Sequence, residues 1–214
     1  MEAAALRDLL APFIPPAELD DALLASIGVH LSLLTRWNQR MNLTALRTPE
    51  AMVERHFGES LFAARHLCSR DSQHDLFDLG SGAGFPGLPI KYWAPSLRLT
   101  LIESHGKKAT FLREVGRALN LTGFSVLNAR AEALSPTIPP PIQRAGLVTM
   151  RAVEHFDQAL AAAASLVAPG GRLALLIGES QRERALSLLP AGASSTLSLP
   201  SSQQRILLTW QPPA

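Results

Sequence analysis

Hydrophobic positions divide the chain into two unlike parts. Up to about residue 70 they recur at helical spacing. Leu6, Leu9 and Leu10 predict a first helix, which Pro12, Pro15 and Pro16 end. Leu23, Leu24, Ile27, Leu31, Leu34 and Trp37 then return every three to four residues, the stripe of a helix packed on one side. Gly28 within that stripe predicts a break into two helices. Thr48, Pro49 and Glu50 read as a helix start with Thr48 as N-cap. Residues 51–67 continue it, with Met52, Val53, Phe57, Leu61 and Phe62 on the buried side. No strand pattern competes, so residues 1–70 are expected to form a helical N-terminal extension.

Beyond a polar linker the period changes, and residues 71–214 are expected to form the second unit. Short apolar runs at 76–79, 97–102, 124–128, 145–150 and 172–177 read as strands. Helical patterns at 106–119 and 154–167 lie among them, and the tail predicts a hairpin of 194–199 with 205–210. Residues 135–143, SPTIPPPIQ, carry too much proline for a helix or a central strand and read as a loop. Strands alternating with helices, closed by a β-pair, predict an α/β protein with a mostly parallel, Rossmann-like sheet.

One stretch carries chemistry. After the apolar run Leu76, Phe77 and Leu79 come Gly80, Gly82, Gly84 and Gly87 within eight residues. Strand, glycine turn and helix open a nucleotide-binding unit. The next strand ends at Glu103, where a carboxylate can accept from the two hydroxyls of a ribose. A dinucleotide loop would need glycine where Phe85 stands, and a phosphate-binding P-loop would need a lysine that the loop lacks. The loop therefore suits an adenosine ligand without a pyrophosphate.

GSGAGFPGLP at 80–89, followed by LIESHGKKATFL at 101–112, resembles the class I S-adenosylmethionine-dependent methyltransferases. More narrowly it resembles the bacterial small-subunit (16S) rRNA (guanine-7-)methyltransferase family, also called glucose-inhibited division protein B. Residues 37–44, WNQRMNLT, and 55–60, RHFGES, are similar to two further elements of that family, with Glu59 where the family usually has aspartate. Arg130-Ala131-Glu132 matches its Arg-X-Glu element.

The resemblance implies a seven-stranded sheet and S-adenosyl-L-methionine as cofactor. It implies methyl transfer to ring nitrogen 7 of a guanine in 16S rRNA. Gly80, Gly82, Gly84, Phe85, Glu103, Ala131, Glu132 and Arg151 would then line the cofactor site, with Ala131 and Glu132 beside the adenine. That nitrogen has an in-plane lone pair, so no general base is expected, and Arg151 is the candidate for bridging cofactor and base. The family usually has a lysine where Ile177 stands, which would leave its charge to Arg182 or Arg184.

Composition narrows the partners. A formal net charge of +2 is too small to argue nucleic-acid binding by itself, so RNA contacts must come from local patches. The candidates are Arg55 and His56, together with Lys107, Lys108, Arg113 and Arg117 on a helix whose lone acid is Glu114. Against them stand a surface salt bridge and a solvated helix face. The single Cys68 excludes an internal disulfide, the six histidines show no metal-ligand spacing, and no run is long enough to span a bilayer. A cytoplasmic monomer acting on 16S rRNA or the small ribosomal subunit, with no metal and no membrane, is the expectation. Two alternatives remain: a methyltransferase of another substrate, and a non-catalytic module that binds S-adenosylmethionine or RNA.

Overall fold

In a computed structural model the described residues are 1–134, 143–153 and 155–213, with the side chain of Glu132 also outside them. Most of the proline-rich loop expected at 135–143 therefore lies outside the described residues.

The extension is helical. Helix α1, Ala3–Leu10, closes just ahead of Pro12. Helix α2 runs unbroken from Asp21 to Met41, which corrects the expected break at Gly28. A single interior glycine costs only about 1 kcal/mol. Buried side chains on both sides of it, Leu23 to Ile27 and His30 to Asn38, outweigh that. Asp20 caps the start by accepting from Leu23 N at 2.8 Å, and Asn42 at φ 48 turns the chain out. Helix α3, Pro49–Met52, starts as expected, with Thr48 Oγ1 accepting from Ala51 N at 3.2 Å. It passes through a π-helical turn, Val53–Gly58, into α4, Glu59–Leu67. Such a turn widens the helix and re-aims its side chains.

The remaining elements are β1 Asp75–Leu79, α5 Gly87–Trp93, β2 Arg98–Ile102, α6 Gly106–Ala118 and β3 Phe124–Leu127. After a 3-10 turn at Ala131–Ala133 come β4 Ala145–Arg151, α7 Phe156–Ser165, β5 Val167–Gly178, α8 Arg182–Leu188, β6 Ala193–Ser198 and β7 Arg205–Gln211. Strand β5 starts five residues earlier than its apolar run predicted. Its first part carries Pro169, Gly170 and Gly171 across a register irregularity opposite Ala145 and Leu147, so periodicity could not mark it.

The sheet has seven strands in the order β3-β2-β1-β4-β5-β7-β6. The first five are parallel, and β7 is antiparallel to both β5 and β6. Period-two side chains supply both faces. Leu76, Leu99, Leu101, Leu147 and Leu176 share one core with α1, α2, α4, α5 and α6, of which α5 and α6 lie on the strands, whereas Phe77, Val148, Met150, Leu173 and Leu175 share the other with α7 and α8. The extension's helices thus share one core with the sheet, and they reach over its carboxyl edge. The order reverses between β1 and β4, and the crevice at such a switch is where ligands bind in open α/β sheets.

Candidate functional site

Beyond β1 the chain folds back on itself. Gly80 N and Ser81 N both donate to Ile102 O, at 2.8 and 3.2 Å. Gly84 has φ +91, and a Cβ there would lie 2.3 Å from Leu88 Cδ1, so this position accepts no side chain. Gly87 opens α5 against Asp78, whose Cβ would lie 2.8 Å from any side chain at 87. That closeness lets Gly87 N donate to Asp78 Oδ2 at 3.2 Å, while Thr149 Oγ1 donates to Asp78 Oδ1 at 2.7 Å. Asp78 is fully buried, and burial pushes its carboxyl up to about 7 against these hydrogen bonds.

Glu103 has two roles. Its Oε2 accepts from Gly82 N at 2.8 Å and its Oε1 from His105 N at 2.7 Å. The carboxylate therefore ties the glycine loop to the entry of α6, a role invisible from its position at a strand end. Each oxygen keeps a second lone pair.

Between these parts lies a cavity of about 330 Å³. Gly80, Gly82, Phe85, Glu103, Ala131 and Arg151 line it, drawn from four separate places in the chain. Gly84 lies beneath, packed on Leu88 and Leu112, and the Glu132 side chain is outside the described residues. The lining also includes Leu43 and His105, which lie within the motifs quoted for the resemblance but were given no role, and His155, which the sequence did not mark.

The basic candidates are not gathered into one face. His56 and Lys108 line the cavity, and exposed Lys107 stands next to it in sequence. Arg113 and Arg117 instead border a groove beside β3, with Phe124 and Val126. Arg182 pairs with Glu183 and Arg184 with Asp157, and neither lines the cavity.

From the tail, Arg205 does not line the cavity either but pairs with Glu59, the carboxylate that also holds the cavity-lining Arg151. Arg205 Nη2 lies 2.8 Å from Glu59 Oε2. Arg151 Nη2 lies 3.4 Å from the same oxygen, and Arg55 Nε lies 3.2 Å from Oε1. One carboxylate, 1% exposed, thus stands among three guanidinium groups from the extension, β4 and β7. Arg151 Nη1 and Arg205 Nε are buried without a hydrogen-bond partner. Burial draws Arg151 down to about 10, opposed by Glu59, so it stays charged near neutral pH. The i,i+4 spacing of Arg55 and Glu59 was the one readable hint of this cluster.

His56 is held on both sides. Arg151 Nη2 approaches its Nδ1 at 3.0 Å, and arginine can only donate, so Nδ1 accepts. The proton then sits on Nε2, which donates to Thr44 Oγ1 at 2.7 Å. Burial, reinforced by Arg151, pushes its pKa down to about 2, so the ring is neutral. Among the described residues no group of His, Cys, Asp and Glu is placed to hold a metal ion, and no helix is long and apolar enough to cross a membrane.

Comparison with known proteins gives this geometry a lineage. The mitomycin 7-O-methyltransferase structure superposes with a TM-score of 0.60 at 17% identity, covering 89% of this chain and 66% of that one. The N-methyltransferase NodS from Bradyrhizobium japonicum superposes with a TM-score of 0.53 at 15% identity, covering 73% and 96%. At such identities these likenesses establish the methyltransferase fold. In sequence, the ribosomal RNA small subunit methyltransferase G of Xanthomonas euvesicatoria is 40% identical over 174 residues, 81% of this chain and 77% of its own. That of Myxococcus xanthus is 39% identical over 157 residues, 73% and 70%. The family described as rRNA small subunit methyltransferase G matches residues 24–200, from α2 through the whole cleft to the end of β6. The chain belongs to that family.

Proposed function

We propose that the protein moves the methyl group of S-adenosylmethionine to ring nitrogen 7 of a guanine in 16S rRNA. The family match over residues 24–200, laid over a cavity at the strand-order switch, supports this most strongly. The residues suit the cofactor on their own chemistry. Glu103 offers carboxylate lone pairs to ribose hydroxyls, Ala131 a small buried apolar surface to adenine, and the glycine loop a close backbone approach. The unpartnered Nη1 of Arg151 is a donor for the cofactor's carboxylate or the base's O6.

The cofactor supplies a methyl on a sulfonium, already activated. The protein's part is to hold the acceptor in line and to exclude water. Nitrogen 7 attacks with its own lone pair and has no proton to lose, so Arg151 acts here as a positioning residue. The neutral His56, with both nitrogens engaged, takes no proton either. RNA phosphates would meet Lys107 and Lys108 at the rim, Arg55 on the extension, and Arg113 and Arg117 further along α6, adding affinity without sequence information.

The test uses small ribosomal subunits from cells lacking the protein, incubated with it and methyl-labelled S-adenosylmethionine. Stoichiometric labelling of one guanine, with strand scission after borohydride and aniline as expected for a 7-methylated base, is the predicted result. No incorporation into subunits or their RNA overturns the reading.

A narrower expectation concerns the cofactor. Glu103→Ala removes charge-assisted hydrogen bonds, each worth roughly 1.5–3 kcal/mol. Affinity for S-adenosylhomocysteine, read by calorimetry, should fall about ten- to hundredfold. Because Gly82 N and His105 N also lose their acceptor, the free protein should melt earlier as well. Undiminished affinity in a folded variant would leave Glu103 as a loop tie alone.

A further inference from the structure

His56 is the outermost of three stacked rings. His30, fully buried, lies 5.0 Å from Phe85 with the planes 9° apart, and Phe85 lies 4.7 Å from His56 with the planes 20° apart. The inner end is pinned, since His30 Nε2 contacts Ala83 O at 2.9 Å and Tyr92 OH contacts His30 Nδ1 at 3.1 Å. The outer end lines the cavity. Among the described residues no ring but Phe85 stacks on His56.

The ring has little else to offer. Its two nitrogens are committed to Thr44 and Arg151. That removes the imidazole as general base, as acid and as hydrogen-bond reader, and leaves its flat face. The strand order β3-β2-β1-β4 also sorts the cleft. Glu103 and Ala131 follow β2 and β3 at one end, whereas His56 is bonded to Arg151 from β4 at the other. If the adenosine half lies at the first end, the reacting end lies beside His56.

Resting on the methyl-transfer reading above, we propose that the target guanine is unstacked from the RNA and stacks on the face of His56, extending the His30–Phe85–His56 series by one ring. An enzyme that works on a base must take it out of its helical stack, and a held aromatic face replaces the lost neighbour. The two hydrogen bonds and the buried rings behind keep that face in place before the base arrives. Arg151, bonded to the same imidazole, then stands at the edge of the bound base rather than under it.

Two variants isolate the face. His56→Phe and His56→Leu both lose the bonds to Thr44 and Arg151 and are similar in bulk, but only phenylalanine keeps an aromatic surface. Methyl transfer to unmodified small subunits is measured for both and for the parent, with S-adenosylhomocysteine affinity alongside. The kcat/KM of His56→Leu for subunits should lie roughly 5- to 150-fold below that of His56→Phe, the range of one base–aromatic stack, with cofactor affinity equal in the two. Equal kcat/KM overturns the proposal, as does a difference carried wholly by cofactor affinity. A parent that methylates nothing fails the underlying reading instead, and shows it before any variant is compared. If His56→Leu does not fold, the parent alone decides the matter. Guanosine 5′-monophosphate titrated into protein saturated with S-adenosylhomocysteine should show its H8 proton shifted upfield by the ring current, and no upfield shift overturns the proposal.

Discussion

Glu59→Ala is expected to lower the stability of the folded protein by about 3–5 kcal/mol, the usual cost of removing one partner from a buried charge cluster. The carboxylate is 1% exposed and is the acid shared by Arg55, Arg151 and Arg205. Its removal leaves three positive groups facing one another. The Arg151 side chain, only 8% exposed, has the least access to water to offset the loss. For a chain of this length the loss corresponds to a melting point lower by roughly 10 °C. Urea unfolding and scanning calorimetry read it directly. Glu59→Gln should lose nearly as much, because volume is kept but charge is not, whereas Glu59→Asp, which keeps the charge, should lose less. A loss below 1 kcal/mol in Glu59→Ala would mean that water or backbone already carries these arginines. The same variant should impair methyl transfer beyond its effect on folding, because Arg151 and through it His56 are held from this carboxylate.

Asp78 should make stability fall as pH rises from about 4 to about 7, opposite to the usual behaviour of a carboxylate. Burial raises its folded pKa to about 7 from the ordinary carboxylate value of 3.8. Between those values the native state holds a proton that the unfolded chain has released. The contribution is therefore complete below the unfolded pKa and is lost as pH passes the folded one. At 1.36 kcal/mol for each pKa unit, the loss is on the order of 4 kcal/mol. When protonated, Asp78 can donate to Thr149 Oγ1, leaving the Thr149 proton for Phe77 O at 3.3 Å. Asp20, whose carboxyl is held low chiefly by the backbone N–H of Leu23, acts in the reverse sense, so the quantity to measure is a difference in slope. Stability of the parent and of Asp78→Asn, followed by urea titration at successive pH values, should diverge over this window, with the variant flatter. Parallel curves would mean that Asp78 is ionised in the folded protein throughout. Because Gly87 N is bonded to this carboxylate, the same titration bears on the glycine loop and on cofactor affinity.

Much of this was legible in the chain itself. Period-two runs such as Leu76–Phe77 and Leu147–Val148 send neighbours to opposite faces, and that alone marks strands covered on both sides. Glycine clustered after such a strand marks a turn that side chains cannot enter, and Gly84 bears this out with a Cβ position 2.3 Å from Leu88. Thr48 before Pro49 marked a helix start because capping is decided within four residues. Local signals of this kind act over one or two turns, so a linear reading recovers them.

The site's wiring came only from the tertiary structure. Glu59 and Arg205 stand 146 residues apart and meet because β7 runs antiparallel beside β5 while α4 crosses the carboxyl edge of the sheet. Nothing near either residue announces the other. Gly28 misled the helix reading because a local penalty of about 1 kcal/mol was set against packing that the sequence does not display. Lys107, Lys108, Arg113 and Arg117 looked like one patch because they are close in number, yet helical rotation sends the last two to the groove beside β3. His56 read as an imidazole beside the Arg55 cation and a candidate RNA contact, and burial keeps that ring neutral. By itself the sequence determined most of the strands, turns and helices, since hydrophobic period and backbone sterics are local, but it did not mark the unbroken α2, the start of β5 or α8. Which charges meet, which are silenced and which ring faces the cleft were decided by the fold, since burial and Coulomb energy depend on distance through space.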